Sequence, residues 1–104
     1  LNRLIVENFA QLGEPLNAEP LDMGGSTDFG NVSQVIPAAF FVAKTHQSGM
    51  AWHSPQVAKG AGEEMALSSM IASGCIMAGA AIDILSDPAA LSQVKADFAG
   101  KAEE

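Results

Sequence analysis

The chain has few cysteines, histidines and basic residues, from which disulfides, metal sites and nucleic-acid-binding surfaces are built. Its 104 residues include one cysteine, Cys75, two histidines, His46 and His53, and only 5 Lys and Arg against 12 Asp and Glu. One cysteine excludes an internal disulfide and a Cys-rich zinc site, and two histidines leave little for a complete metal site. So few cations cannot form the clustered basic surface that nucleic acid requires, so we expect no nucleic-acid partner.

The composition that remains is that of a folded protein. Hydrophobic residues make up 48% of the chain and charged residues 16%, with a formal net charge of −7, which is typical of one small domain rather than a disordered acidic tail. No signal-peptide pattern follows Leu1, so we expect a cytoplasmic protein. Because the chain begins without Met, we interpret it as a piece of something longer or as a chain with its start removed, with residues 1–100 as the folded segment and residues 101–104 as a polar tail.

Three helices are predicted from hydrophobic spacing. Residues 2–12 place their apolar side chains on one face and end before Gly13. Residues 63–85 are small or apolar on every face, which predicts a long helix buried on most sides. Its length would also suit a membrane span, but three serines, Asp83 and the lack of flanking Lys or Arg favour a core helix, so no membrane is expected. Asp87 and Pro88 begin a last helix that Gly100 can end.

A buried strand is predicted over residues 35–43, which are almost wholly apolar and include β-branched and aromatic side chains. Pro37 suits the start of such a strand. The predicted fold class is therefore α/β, with a helix, a buried strand, a long core helix and a short C-terminal helix. One strand cannot form a sheet, so we expect the sheet to be completed by an absent chain or by an oligomer partner.

The candidate site residues lie in two polar loops, residues 24–33 and 44–60. His53 is a candidate metal ligand, and the alternative is a loop histidine bonded to backbone. Asp28 could orient a metal-bound histidine or could simply form a turn. Ser26 and Asn31 could contact a substrate or stabilise the same turn. His46 offers the same two alternatives as His53.

Four sequence runs together resemble a known family. Residues 24–33 (GGSTDFGNVS), 35–37 (VIP), 53–55 (HSP) and 86–88 (SDP), with a long Ala-rich helix before the last of them, are similar to the C-terminal end of metal-dependent amidohydrolases of peptidase family M-twenty. The closest branch is the aminobenzoyl-glutamate hydrolase and aminoacylase-like group. The similarity extends from about Ile5 to Phe98.

The resemblance implies a role for each candidate. This chain would be the returning segment of a zinc-peptidase-like catalytic domain, with His53 as the last metal ligand and with Ser26, Asp28 and Asn31 beside the substrate or the ligands. Such enzymes use two divalent metal ions, usually zinc and sometimes manganese or cobalt, to hydrolyse the amide bond of an N-acyl or aminobenzoyl amino acid or a small peptide. The other ligands and the general-base glutamate of the family have no counterpart here.

The incomplete set limits what the chain is expected to do alone. It supplies at most one metal ligand and no catalytic residue, because the Glu63-Glu64 pair does not match the family's general-base motif. We expect it to be inactive in isolation, and its partners to be the missing N-terminal half of the catalytic domain, or a second copy, and a small amide substrate. The alternative is a non-catalytic module that self-associates through its apolar strand and helix.

Overall fold

The computed structural model describes residues 1–17 and 25–101, and every regular element in these two ranges is a helix. The first and the last of these helices both pack against a long helix between them. The helices of the described ranges are α1 (Asn2–Leu12), α2 (Phe29–Val32), α3 (Pro55–Gly60), α4 (Glu64–Ser86) and α5 (Pro88–Lys101).

The helix boundaries follow local sequence signals. Gly13 ends α1 with φ 73°, a left-handed conformation that glycine adopts without steric cost. Pro88 begins α5, and the Asp87 carboxylate accepts a hydrogen bond from the Ala89 amide at 2.9 Å. The three predicted helices are thus confirmed, although α5 continues through Gly100 to Lys101.

The core is small and lies where α1 and α5 meet α4. Leu4, Ala80 and Val94 form one buried cluster, and Phe9, Ala66 and Ile76 are also buried. Beside them, the buried Asn8 side chain donates hydrogen bonds from Nδ2 to the Leu4 carbonyl at 2.8 Å and to the Asp83 carboxylate at 2.7 Å. This amide links α1 to α4 and satisfies a polar group that would be costly to bury without partners.

The prediction of an α/β fold is wrong, because residues 35–43 form no strand. The amides of Val35 and Ile36 both donate to the Val32 carbonyl, which prolongs the turn after α2. Residues 37–43 are irregular, and no other segment of the described ranges pairs with them. A strand requires backbone partners, so an apolar run without them packs by its side chains instead, as Phe41 does against Phe9 at a ring distance of 5.3 Å.

The prediction that the long helix is buried on most sides is also wrong. Among the described helices, α1 and α5 make the main contacts with α4, and the buried residues of α4 are Ala66, Ile76 and Ala80. The opposite side is apolar and exposed, and Leu85 is 85% accessible. By length and composition alone, with a mean hydropathy of 1.7, α4 could cross a membrane.

The polar loops are only partly irregular. The predicted loop at residues 44–60 contains α3, and the predicted turn at 24–33 contains α2. Residues 18–24, including the first glycine of the GGSTD run, lie outside the described residues, as do residues 102–104 of the predicted tail.

Candidate functional site

His53 stands at a tight turn immediately before α3. Ser54 caps this helix, since its Oγ accepts a hydrogen bond from the Val57 amide at 3.3 Å, and Pro55 is the first helical residue. His53 has φ 60° and is the only non-glycine residue of the described ranges with a positive φ. This left-handed conformation costs a non-glycine residue roughly 1–2 kcal/mol, so glycine would fit this turn with less strain.

The imidazole of His53 is exposed and makes no hydrogen bond to any described residue. His46 behaves differently: it is half-buried, its Nδ1 lies 3.0 Å from Thr45 Oγ1, and its ring packs edge-to-face with Trp52 at 6.4 Å. The His46 side chain therefore stabilises the loop by packing. The His53 ring has both nitrogens free for a group outside the described residues.

Replacing His53 by glycine should not lower stability and should raise the free energy of unfolding by up to about 1 kcal/mol, because glycine adopts the positive φ without strain. The matched change His46→Gly should lower that free energy by about 1–2 kcal/mol through lost packing. Urea unfolding followed by circular dichroism measures both values. A loss at His53 equal to the loss at His46 would show that the His53 ring is structural.

Ser26, Asp28 and Asn31 are all exposed, and the last two lie at or in α2. The Asp28 carbonyl accepts hydrogen bonds from the amides of Asn31 and Val32 at 3.0 and 3.2 Å, while its carboxylate caps nothing. No hydrogen bond between described residues joins any of the three to His53. The turn is held by its backbone and by two side chains: Thr27 Oγ1 accepts from the Phe29 amide at 3.4 Å, and Ser33 Oγ donates to the Gly30 carbonyl at 2.9 Å.

The described residues do not form a metal site by themselves. Within residues 1–17 and 25–101, no group of three or more His, Cys, Asp or Glu side chains could hold an ion. Catalytic zinc normally has three protein ligands. The described residues therefore do not complete a hydrolytic metal centre.

The structure also contains a cleft that the sequence did not predict. Its volume is about 680 Å³, and it lies between the start of α1, residues 33–38 and the end of α5. Its polar lining is Asn2, Arg3, Ser33, Gln34 and Asp97, and none of the four predicted site residues borders it. Three segments far apart in sequence form this cleft, so no local pattern could have indicated it.

Comparisons with protein families, with curated proteins and with solved structures give no match to this chain.

Proposed function

We propose that this chain is one segment of a metal-dependent amidohydrolase, to which it contributes His53 as a metal ligand and no catalytic group. The proposal is supported by the resemblance of residues 25–33 and 53–55 to the M-twenty amidohydrolases and by the conformation of His53. An exposed imidazole held in a strained turn is a feature that packing does not require, and such strain is often found at functional sites. The capped start of α3 at Ser54 fixes the backbone that carries the ring.

The proposed substrate class is an N-acyl or aminobenzoyl amino acid, or a small peptide, cleaved at its amide bond. The remaining metal ligands and the general base would come from chain outside these residues. Asp28 and Asn31 would contact the substrate or the ligands from there, since both side chains are exposed and uncommitted. The proposed ions are two divalent metals, zinc or else manganese or cobalt, and the proposed location is the cytoplasm.

A zinc titration of the full 104-residue chain tests the ligand. We expect zinc to shift the NMR signals of the His53 ring at high metal concentration, to leave the His46 ring unchanged, and to be removed by dialysis, because one imidazole holds zinc weakly. We expect no hydrolysis of acyl-amino acids. Zinc that survives dialysis, or hydrolysis by this chain alone, would show that the ligands lie elsewhere.

The decisive variant is His53→Ala in a longer polypeptide that contains this sequence and hydrolyses acyl-amino acids. We expect activity to fall to background while the thermal melt is unchanged, since the ring is exposed and makes no hydrogen bond to a described residue. His46→Ala is the matched control and should retain activity with a lower melting temperature. Retained activity in His53→Ala would remove His53 as a ligand.

A second candidate function is a non-catalytic assembly module. The observation that favours it is the apolar, exposed side of α4, since soluble monomers seldom expose a continuous apolar surface of this extent. The two proposals use different residues, so the zinc titration and a measurement of association state test them separately.

A further inference from the structure

The exposed side of α4 carries a regular seam. We define the seam as the six residues that recur at alternating spacings of four and three along the helix, all of them exposed: Leu67, Ile71, Gly74, Ala78, Ala81 and Leu85. This is the spacing of the a and d positions of a coiled coil. The seam faces away from α1 and α5, so it is free to receive another helix.

No charge interrupts the seam. The only charged residues of α4 are Glu64, in its first turn, and Asp83, whose carboxylate accepts the hydrogen bond from Asn8 on the opposite side of the helix. A second apolar helix could therefore cover all five turns of the seam without burying an unpaired charge, which would be costly.

We propose that the seam binds α4 of a second copy of the chain, packed antiparallel. The two-fold axis would cross the seam at the height of Ile76, midway between Gly74 and Ala78. This dimer deepens the assembly proposal and does not involve the metal proposal. An antiparallel pair places Leu67 opposite Leu85, Ile71 opposite Ala81, and Gly74 opposite Ala78. The seam is thus complementary to itself, with large residues at both ends and small ones at the centre, which lets the backbones approach closely.

The antiparallel direction is favoured over the parallel one by size and by electrostatics. In a parallel pair, the two copies of Ile71 would face each other, and in the next layer the two copies of Gly74 would do so. The distance that the side chains require between the helices would therefore change abruptly from one layer to the next. The antiparallel pair combines a large residue with a small one in that layer instead. Antiparallel helices also align their macrodipoles favourably.

The accessible area of the chain is consistent with one missing partner. The chain exposes 7935 Å², whereas a compact monomer of 10.7 kDa exposes about 5500 Å². The excess, roughly 2400 Å², is about three times the 800 Å² or so that each partner contributes to a standard interface, so a dimer through the seam would cover about a third of it. The radius of gyration of 15.7 Å likewise exceeds the 13 Å or so of a compact chain of this length.

Sedimentation equilibrium of the full chain is the first test. We expect a species of twice the 10.7 kDa chain mass. Ala78→Glu should convert it to a monomer and weaken association about 100-fold or more, because it places a carboxylate at the centre of the seam. Ala96→Glu, the same change at an exposed position of α5, is the matched control and should remain a dimer. Circular dichroism should show unchanged helix content in both variants.

Cross-linking with a short bismaleimide tests the direction. In a Cys75→Ser background, Ser68→Cys and Ser86→Cys lie on the same flank of α4. In the antiparallel dimer, residue 68 of one copy lies within about 3 Å of residue 86 of the other along the axis, whereas two copies of residue 68 are about 24 Å apart. We expect cross-linking only when the two single-cysteine chains are mixed, and none within either chain alone.

Three outcomes of the sedimentation and cross-linking experiments would contradict the proposed dimer. Cross-linking of each single-cysteine chain to itself would indicate parallel helices. A monomeric wild-type chain, including one that binds phosphatidylcholine vesicles instead of a second copy, would contradict both the dimer and the assembly proposal. A larger assembly that Ala78→Glu leaves intact would contradict the seam alone, and the assembly proposal would survive.

Discussion

Replacing Ile76 by alanine should lower the free energy of unfolding by about 2–4 kcal/mol, the usual cost of truncating a buried isoleucine. Ile76 is 2% exposed and is the only large side chain of the described residues that is fully buried. Small domains are marginally stable, at about 5–15 kcal/mol, and the few buried residues here suggest a value at the low end. We therefore expect the melting temperature to fall by about 10–20 °C.

The same helix provides a matched control for this change. Ile82 is 63% exposed, so Ile82→Ala removes the same atoms from a side chain that is already in water, and the loss should be within about 0.5 kcal/mol. Both variants are best compared in the Ala78→Glu background, because association would otherwise add to the measured stability. Equal losses at the two positions would show that the described packing of α4 is wrong.

The parts of the fold that were predicted are those encoded by local signals. Gly13 ends α1 and the Asp87-Pro88 pair begins α5, and both signals depend only on neighbouring residues. The start of α3 is encoded in the same way, since Ser54 and Pro55 are a capping residue followed by a favoured first helical residue. The polar residues around this signal are typical of a loop, however, and for that reason the sequence predicts a loop over residues 44–60.

The parts that could not be predicted depend on contacts between distant segments. An apolar run such as residues 35–43 becomes a strand only if another segment offers backbone partners, and hydropathy does not report them. Similarly, α4 is apolar all round, so its periodicity could not indicate which side packs. The hydrogen bond from Asn8 to Asp83 lies on the side of α4 that is buried. The two residues are 75 positions apart, so no local pattern indicates this contact.

The sequence indicates which residues are candidates for the site, but it does not indicate how these residues are arranged in space. The His-Ser-Pro run indicates His53 as a candidate ligand, whereas the positive φ of His53 follows from how the irregular segment enters α3. The contrast with His46 also depends on a contact, the packing of its ring on Trp52. The role of His53 as a ligand remains a prediction, because the other ligands it requires are not among the described residues.

Replacing Gly79 by alanine should lower the free energy of unfolding by about 1.5–5 kcal/mol, although alanine is the better helix former. A Cβ on Gly79 would overlap Oδ1 of Asn8 and lie 2.7 Å from its Cγ. The Asn8 amide cannot move aside freely, since its Nδ2 is bonded to Leu4 and Asp83. The expected loss combines overpacking, about 1–3 kcal/mol, with a weakened bond to a charged group, about 1.5–3 kcal/mol, less about 1 kcal/mol of helix propensity.

Two further variants separate this clash from a general effect of replacing helical glycines. Gly74 has open space around it, so Gly74→Ala, measured in the Ala78→Glu background, should raise stability by about 0.5–1 kcal/mol. Asn8→Ala should itself be destabilising, but in its presence Gly79→Ala should cost nothing, because the overlapping atoms are gone. A double-mutant cycle in urea measures this coupling. Independent effects at positions 8 and 79 would contradict the close approach of α1 to α4 at this point, because only direct contact makes the second change depend on the first.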